Sequence, residues 1–249
     1  MDSNTLLRSF HSDNIPEWKC PMCGNRLLKD GDSFSHEYSR PIDTSSPDFD
    51  PDQIEFAFRL GLKCSSLDCG SRVMCIGKGG VEQDYVPGGK GDWDWFEYFE
   101  PLYFHPSLKL SHYPIDTPLN VAYELEESFA LFFSSPSASI GKLRVAVEAL
   151  LDDLNVPSTT SNGAFLTLGP RLRKMPEELK NALGDSLSAL TLLGNAGAHG
   201  DHNIRKSNVL DGYRVITHVL EILYPVKGAS IDDLIEKIQT EFGPKKNES

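Results

Sequence analysis

The sequence predicts an α+β fold in which a small β module precedes an all-α helical bundle, and three observations predict it. Two cysteine pairs, Cys20-Pro-Met-Cys23 and Cys64-Ser-Ser-Leu-Asp-Cys69, lie in the first third, each with a glycine directly after its second cysteine. Around the second pair, apolar side chains recur at every other residue, the period of a half-buried strand. From about residue 116 the apolar period lengthens to three or four residues, which is helical.

In chain order, residues 1–19 are polar and carry no basic segment leading into an apolar core, so no secretion signal is expected. They are expected to be loosely ordered up to the first cysteine pair. The run Asp43-Thr-Ser-Ser-Pro-Asp-Phe-Asp-Pro-Asp52 is a loop of turn formers and acids. Ile54, Phe56, Phe58, Leu60 and Leu62 then alternate with Glu55, Ala57, Arg59, Gly61 and Lys63, and the strand they define enters Cys64. Arg72-Val-Met-Cys-Ile76 reads as the returning strand, which puts the second cysteine pair at the tip of a β-hairpin, as in a zinc ribbon.

The glycine after each pair, Gly24 and Gly70, suits the positive φ of a tight turn that aims backbone N–H groups at sulfur. Cys20, Cys23, Cys64 and Cys69 are therefore expected to share one structural zinc ion, with all four positions filled and none left for a reacting water. The alternative is a set of unrelated buried cysteines; the 40-residue gap and the looser second pair make the spacing imperfect. Cys75, between Met74 and Ile76, reads as a buried strand residue and not a further ligand.

Residues 77–92 are glycine-rich but lack the Gly-Lys-Ser/Thr of a phosphate loop, and read as a flexible connection. This sets a β module at 1–92. The aromatic stretch from Trp93 through Trp95, Phe96, Tyr98, Phe99 and Tyr103 to Phe104, with its prolines, reads as a connection at 93–115 that packs the β module onto the helices. Base stacking is the alternative, opposed by Asp92, Asp94, Glu97 and Glu100.

The helical bundle is assigned to 116–249. Asp116 or Thr117 is expected to cap a first helix with Pro118 in its first turn and Val121, Leu125, Phe129 and Phe132 inward. Ser134-Ser-Pro136 separates it from a second helix with Ile140, Leu143, Val147, Leu150, Leu151 and Leu154 in one stripe. Glycine and serine mark a loop at 157–163, followed by helical pieces over 164–174 and 176–193. A long helix covers about 205–224, and a last one about 230–242 opens on a capping box of Ser230 and Asp233.

The formal net charge of -12 is a poor match for non-specific duplex binding. Arg171, Arg173 and Lys174, with Arg205-Lys206, are expected to be solvated helix ends rather than a nucleic-acid patch. The five cysteines, an odd number set in knuckles, point to a reducing compartment and hence the cytoplasm. No apolar run is long enough for a membrane span.

Far downstream, Gly194-Asn-Ala-Gly-Ala-His199 places Asn195 and His199 on one helical face beside small residues that permit close backbone approach. His199 then acts as acid, base or ligand, with Asp201 and His202 at hand, or it satisfies buried backbone groups where helices meet. Arg144 and Glu148 share a face of the second helix and form either a structural ion pair or a partner for His199.

The segment Tyr113-Pro114 to Pro225 resembles the bacterial domain-of-unknown-function 4145 family. The resemblance rests on Pro114-x3-Pro118, Leu143-Arg144-x3-Glu148-x-Leu150-Leu151, Gly194-Asn195-x2-Ala198-His199 and Leu223-Tyr224. It implies a helical fold similar to the HEPN group, found alone or with nuclease subunits in phage-defence settings. Active HEPN ribonucleases work as dimers and use Arg-x4–6-His. Counting back from His199 meets Gly194, Leu193 and Leu192, so the arginine is missing and nothing in the motif stabilises charge at a scissile phosphate.

The expected function is a non-enzymatic binding or regulatory protein of a defence or nucleic-acid-processing system, a homodimer through its helices, with a protein partner there. One alternative is a metal-independent ribonuclease using His199 and Asn195 with Arg144 and Glu148, or with a partner's arginine. The other is an acidic antitoxin-like decoy that occupies a basic groove.

Overall fold

In the computed structural model, which describes residues 3–85, 93–199, 204–225 and 231–242, a curled antiparallel sheet is followed by helices, an α+β architecture. A short helix α1 (Ser3–Leu7) leads into strands β1 (Leu27–Lys29), β2 (Ser35–Tyr38), β3 (Glu55–Cys64), β4 (Arg72–Tyr85) and β5 (Trp93–His105). The sheet order is β1-β3-β4-β5, with β2 pairing a further stretch of β3.

Alternation in β3 is as the sequence predicts: Phe56, Phe58, Leu60, Leu62 and Cys64 are buried, and Glu55, Ala57, Arg59 and Lys63 are exposed. β3 and β4 pair from Glu55↔Gly80 to Lys63↔Arg72, so Cys64 to Ser71 form the hairpin tip. Leu27 sits opposite Cys64, which brings the turn carrying Cys20 and Cys23 to the same end of the sheet.

The glycine-rich segment is not a connection as far as Tyr85. Gly77, Gly79 and Gly80 lie inside β4. A Cβ on Gly77 would stand 2.1 Å from the Glu100 carbonyl oxygen and 2.5 Å from the Phe58 ring; one on Gly79 would meet Tyr98 and Phe99. These glycines make room for aromatic rings packed over the strand. The remainder, including Gly88-Gly89-Lys-Gly91, lies outside the described residues.

The aromatic stretch is likewise no connection over 93–105. It is β5, paired with β4 from Tyr85↔Trp93 to Met74↔His105 with one register shift. Its prolines exclude a helix, as the sequence indicates, yet an edge strand tolerates Pro101. Phe99 and Phe104 are buried, whereas Trp93, Trp95, Phe96 and Tyr103 are exposed, so packing accounts for only part of the stretch.

The N-terminal residues are also more tightly held than expected. Leu6, Phe10 and Trp18 are buried. Phe10 exchanges both backbone hydrogen bonds with Phe99, and Trp18 packs edge-to-face on Phe104 at 4.9 Å. Phe104 in turn contacts Phe133 at 4.8 Å, which joins the sheet to the helices in one hydrophobic core.

The helices are α2 (Leu119–Leu131), α3 (Pro136–Asp153), α4 (Leu168–Leu172), α5 (Glu177–His199), α6 (Lys206–Leu223) and α7 (Ile231–Phe242). The predicted stripes on α2 and α3 are buried, with Leu154 partly so. Ser135 caps α3 by accepting from the Ala138 N–H, with Pro136 opening the helix. α2 departs from expectation: neither Asp116 nor Thr117 caps it, and Pro118 occupies the cap position with no side-chain bond. Pro118 supplies the helical entry φ in place of a polar cap. Ser230 and the side chain of Asp233 lie outside the described residues.

Between α2, α3 and α6 a hydroxyl cluster is sealed in the core. Tyr213 lies 2.9 Å from Ser128 Oγ and 2.8 Å from Ser139 Oγ, and Ser128 Oγ donates to the Ser139 carbonyl. Every hydroxyl has a partner, so the cluster fixes helix register at little desolvation cost. Among the described residues, no helix is long and apolar enough to cross a membrane.

Candidate metal centre and helical motif

The two cysteine turns meet. Gly24 and Gly70 take φ of 74° and 60°, the left-handed values their positions after the second cysteine call for. Gly24 N–H donates to the Cys20 carbonyl, and Gly70 N–H to that of Ser66, closing each turn. The sulfurs of Cys20, Cys23, Cys64 and Cys69 lie within 4.8 Å of one another. Cys20 Sγ is 3.8 Å from Cys69 Sγ, and Cys23 Sγ is 3.4 Å from Cys64 Sγ.

Tetrahedral zinc with bonds of about 2.3 Å spaces its sulfurs about 3.8 Å apart, so the cluster fits that ion with little rearrangement. The donor set is all thiolate, which suits zinc and not a hard cation. Within the cluster, Cys23 and Cys64 are pushed in opposite directions. The Cys23 thiol is lowered to about 6, first by the Asn25 backbone N–H and then by Cys64, while burial first of all pushes Cys64 up to about 12. A divalent cation supplies the charge that lets all four become thiolates.

Two further residues serve the cluster. Asn25 Nδ2 donates to Cys23 Sγ at 3.4 Å, and Ser71 Oγ lies 3.1 Å from Cys69 Sγ. Both occupy the position after the turn glycine, a repeated polar residue in Cys-Gly-Asn and Cys-Gly-Ser that could have been read from the sequence. Such outer partners orient thiolates and temper their charge. Cys75 is fully buried, its thiol raised by that burial, and it stands apart from the cluster.

In the helical half, the structure brings three of the four motif residues together. Arg144 on α3 donates from Nη1 to Asn195 Oδ1 on α5 at 2.7 Å and from Nε to Glu148 Oε1 at 3.3 Å. A Cβ on Gly194 would stand 2.9 Å from Arg144 Cβ, so the glycine is what lets the arginine stem lie against α5. Gly197 plays the same part toward Ile140. His199 ends α5, but its side chain, with Asp201 and His202, lies outside the described residues.

Asn195 also lines an open cleft of about 520 Å3 between α4 and α5, shared with Arg173, Lys180, Asp185, Ser188 and Leu192. Of the basic group expected at solvated helix ends, Arg173 and Lys174 are exposed but Arg171 is not. Its buried guanidinium donates to Asp152 Oδ1 at 2.6 Å and to the Val156 carbonyl at 2.9 Å, tying the end of α3 to α4. Charge in the sequence reads as surface; here three acceptors at the end of α3 draw the cation inside. Lys206 is half-buried, its ammonium 5.6 Å above the Phe133 ring.

Two family models match the chain. Residues 8–104 match a domain of unknown function (DUF8608) and residues 126–242 match a second, a domain of unknown function (DUF4145). The first match contains all four cysteines and ends within β5. The second starts inside α2 and includes α7, so it is displaced toward the C-terminus relative to the resemblance at 113–225. Neither a curated protein nor a solved structure matches the chain.

Proposed function

We propose that this chain is a non-enzymatic binding or regulatory protein of a bacterial phage-defence or nucleic-acid-processing system, in which a zinc-ribbon-like module with a structural zinc is fused to a HEPN-like helical bundle that dimerises. The observation that carries the reading is the engagement of Arg144. Its guanidinium is held between Asn195 and Glu148, and its stem fills the space left by Gly194. A cation committed in this way joins helices and is poorly placed to stabilise a phosphoryl transition state. The tetracysteine cluster supports the same reading, because four thiolates leave a zinc ion no open position. The defence setting is an expectation that rests on the resemblance of the helical half to the domain-of-unknown-function 4145 family.

One feature favours a second reading, a ribonuclease that borrows its arginine. Asn195 lies one helical turn before His199, and its bond to Arg144 supports a reading in which α3 provides the arginine that the motif lacks in sequence. A single experiment separates the two. Wild type, His199→Ala and Arg144→Ala are incubated with mixed RNA, and cleavage and Tm are recorded together. The expected result is no cleavage by any of the three and a lower Tm for Arg144→Ala. Cleavage by wild type that His199→Ala abolishes at unchanged Tm would replace the binding reading with the nuclease.

A further inference from the structure

We infer that the outer edge of β5, at residues 93–97, takes up an extended segment of a partner protein, with alternating basic and apolar residues, as an added strand. β5 ends the sheet. Among the described residues, its outer side meets the bridge in which Phe99 exchanges both backbone hydrogen bonds with Phe10, and His11 beside it, and no strand lies beyond residues 93–96. In an antiparallel strand, residues two apart turn their N–H and C=O to the same side. Glu97, Trp95 and Trp93 therefore face outward with Phe99. The Glu97 carbonyl confirms the direction by contacting His11 Nδ1 at 2.7 Å. Trp95 has no strand beyond it, and its N–H is taken by the carboxylate of Asp94 at 2.8 Å. An open edge of this kind templates a further strand.

The faces on either side of that edge differ. Tyr85↔Trp93 and Gln83↔Trp95 continue the face that, nearer the core, carries the buried Phe99 and Val81. The ribbon runs on past the elements that cover this face, so Tyr85, Trp93 and Trp95 are left 51%, 59% and 41% exposed. The other face pairs Asp84 directly with Asp94, and Glu82 with the exposed Phe96. Like charges set opposite each other destabilise a ribbon. Among the described residues, no cation forms an ion pair with Glu82, Asp84 or Asp94.

These faces select the occupant. Side chains of an added strand alternate across the sheet plane. Those on one side would meet Glu82, Asp84 and Asp94 around the Phe96 ring, and those on the other the rings of Tyr85, Trp93 and Trp95, with Glu97 nearer the core beside His36. Lysine or arginine fits the first and aliphatic residues the second. A second copy of β5 is disfavoured, because it would bring another Asp94 to a site already overloaded with negative charge, between chains that each carry -12. The inference gives the proposed binding role a partner class but rests on the sheet edge alone. RNA cleavage by the chain would leave it standing, and its failure would leave the reading of Arg144 standing.

The test titrates the full chain with a peptide of alternating lysine and valine and follows tryptophan fluorescence. The chain has three tryptophans, and Trp18 is buried, so a change reports on Trp93 and Trp95. Saturable binding with a blue shift is expected, weakening as salt is raised. Asp84→Asn combined with Asp94→Asn should weaken it about tenfold without lowering Tm, since the repulsion is relieved. The same peptide N-methylated at alternate amides keeps its charge but loses one hydrogen-bonding edge, and should not bind. Equal binding by the N-methylated peptide, by a glutamate–valine peptide or by the double variant would overturn the inference, as would no binding of the lysine–valine peptide.

Discussion

Replacing Arg144 by Met and Asn195 by Ala, singly and together, measures what holds α3 to α5. Met keeps the aliphatic stem that Gly194 accommodates, so the substitution isolates the guanidinium. A hydrogen bond from a charged donor contributes about 1.5–3 kcal/mol when well shielded. The Arg144 side chain is 25% exposed, and water competes for it, which places the 2.7 Å bond to Asn195 near about 1.5 kcal/mol. The longer i,i+4 contact to Glu148, itself one-third exposed, should contribute only about 0.3–0.5 kcal/mol. Urea denaturation of the four proteins should therefore give a coupling energy of about 1–1.5 kcal/mol between Arg144 and Asn195, three times that of a second cycle built from Arg144→Met and Glu148→Ala. Additivity of the Arg144 and Asn195 changes to within about 0.4 kcal/mol, or a Glu148 coupling larger than that of Asn195, would refute the clamp and remove the main support for a structural motif.

Elemental analysis of protein purified without chelator should find about one zinc per chain, and Cys64→Ser should lose it and lower Tm; full retention of metal by that variant would exclude the cluster as its site. Gly77→Ala should destabilise by about 3 kcal/mol, because its Cβ would enter backbone at Glu100 as well as the Phe58 ring. Gly141→Ala, with open space around its Cβ on α3, should instead stabilise by about 0.5–1 kcal/mol. Denaturant midpoints of the two variants moving in the same direction would contradict the packing described for β4. Tyr213→Phe should cost about 1 kcal/mol, since Ser128 and Ser139 still bond each other when the phenol is gone; a cost above about 3 kcal/mol would mean the two serines depend on it.

Much of the candidate metal centre is legible in the sequence, because its logic is local. A cysteine pair on a turn needs a glycine in the left-handed region after it, and both are present. The hairpin that carries the second pair announced itself by strict alternation in Glu55–Cys64. Asn25 and Ser71 were within reach of the same reasoning, since each follows a turn glycine, but only their distances to sulfur give them a role. The stripes of α2 and α3 were equally plain, because a helix that buries one face repeats its apolar residues at its own period.

What sequence reasoning got wrong were residues whose meaning depends on a distant neighbour. Glycine marks a loose loop as readily as a strand crossed by rings; Phe58, Tyr98 and Phe99 decided for the strand at Gly77–Gly80. Arginine marks a surface as readily as a buried strut; the Val156 carbonyl and Asp152 drew Arg171 inside. Leu6, Phe10 and Trp18, sparse in a polar stretch, found their burial against α6, Phe99 and Phe104. The sequence by itself determined where four sulfurs would gather and which helix faces would turn inward, since turn geometry and helical period act over a few residues. Only the tertiary structure decided that Arg144 reaches Asn195 and that the aromatic ribbon outruns its cover, because contacts between residues far apart in the chain leave no periodic mark in it.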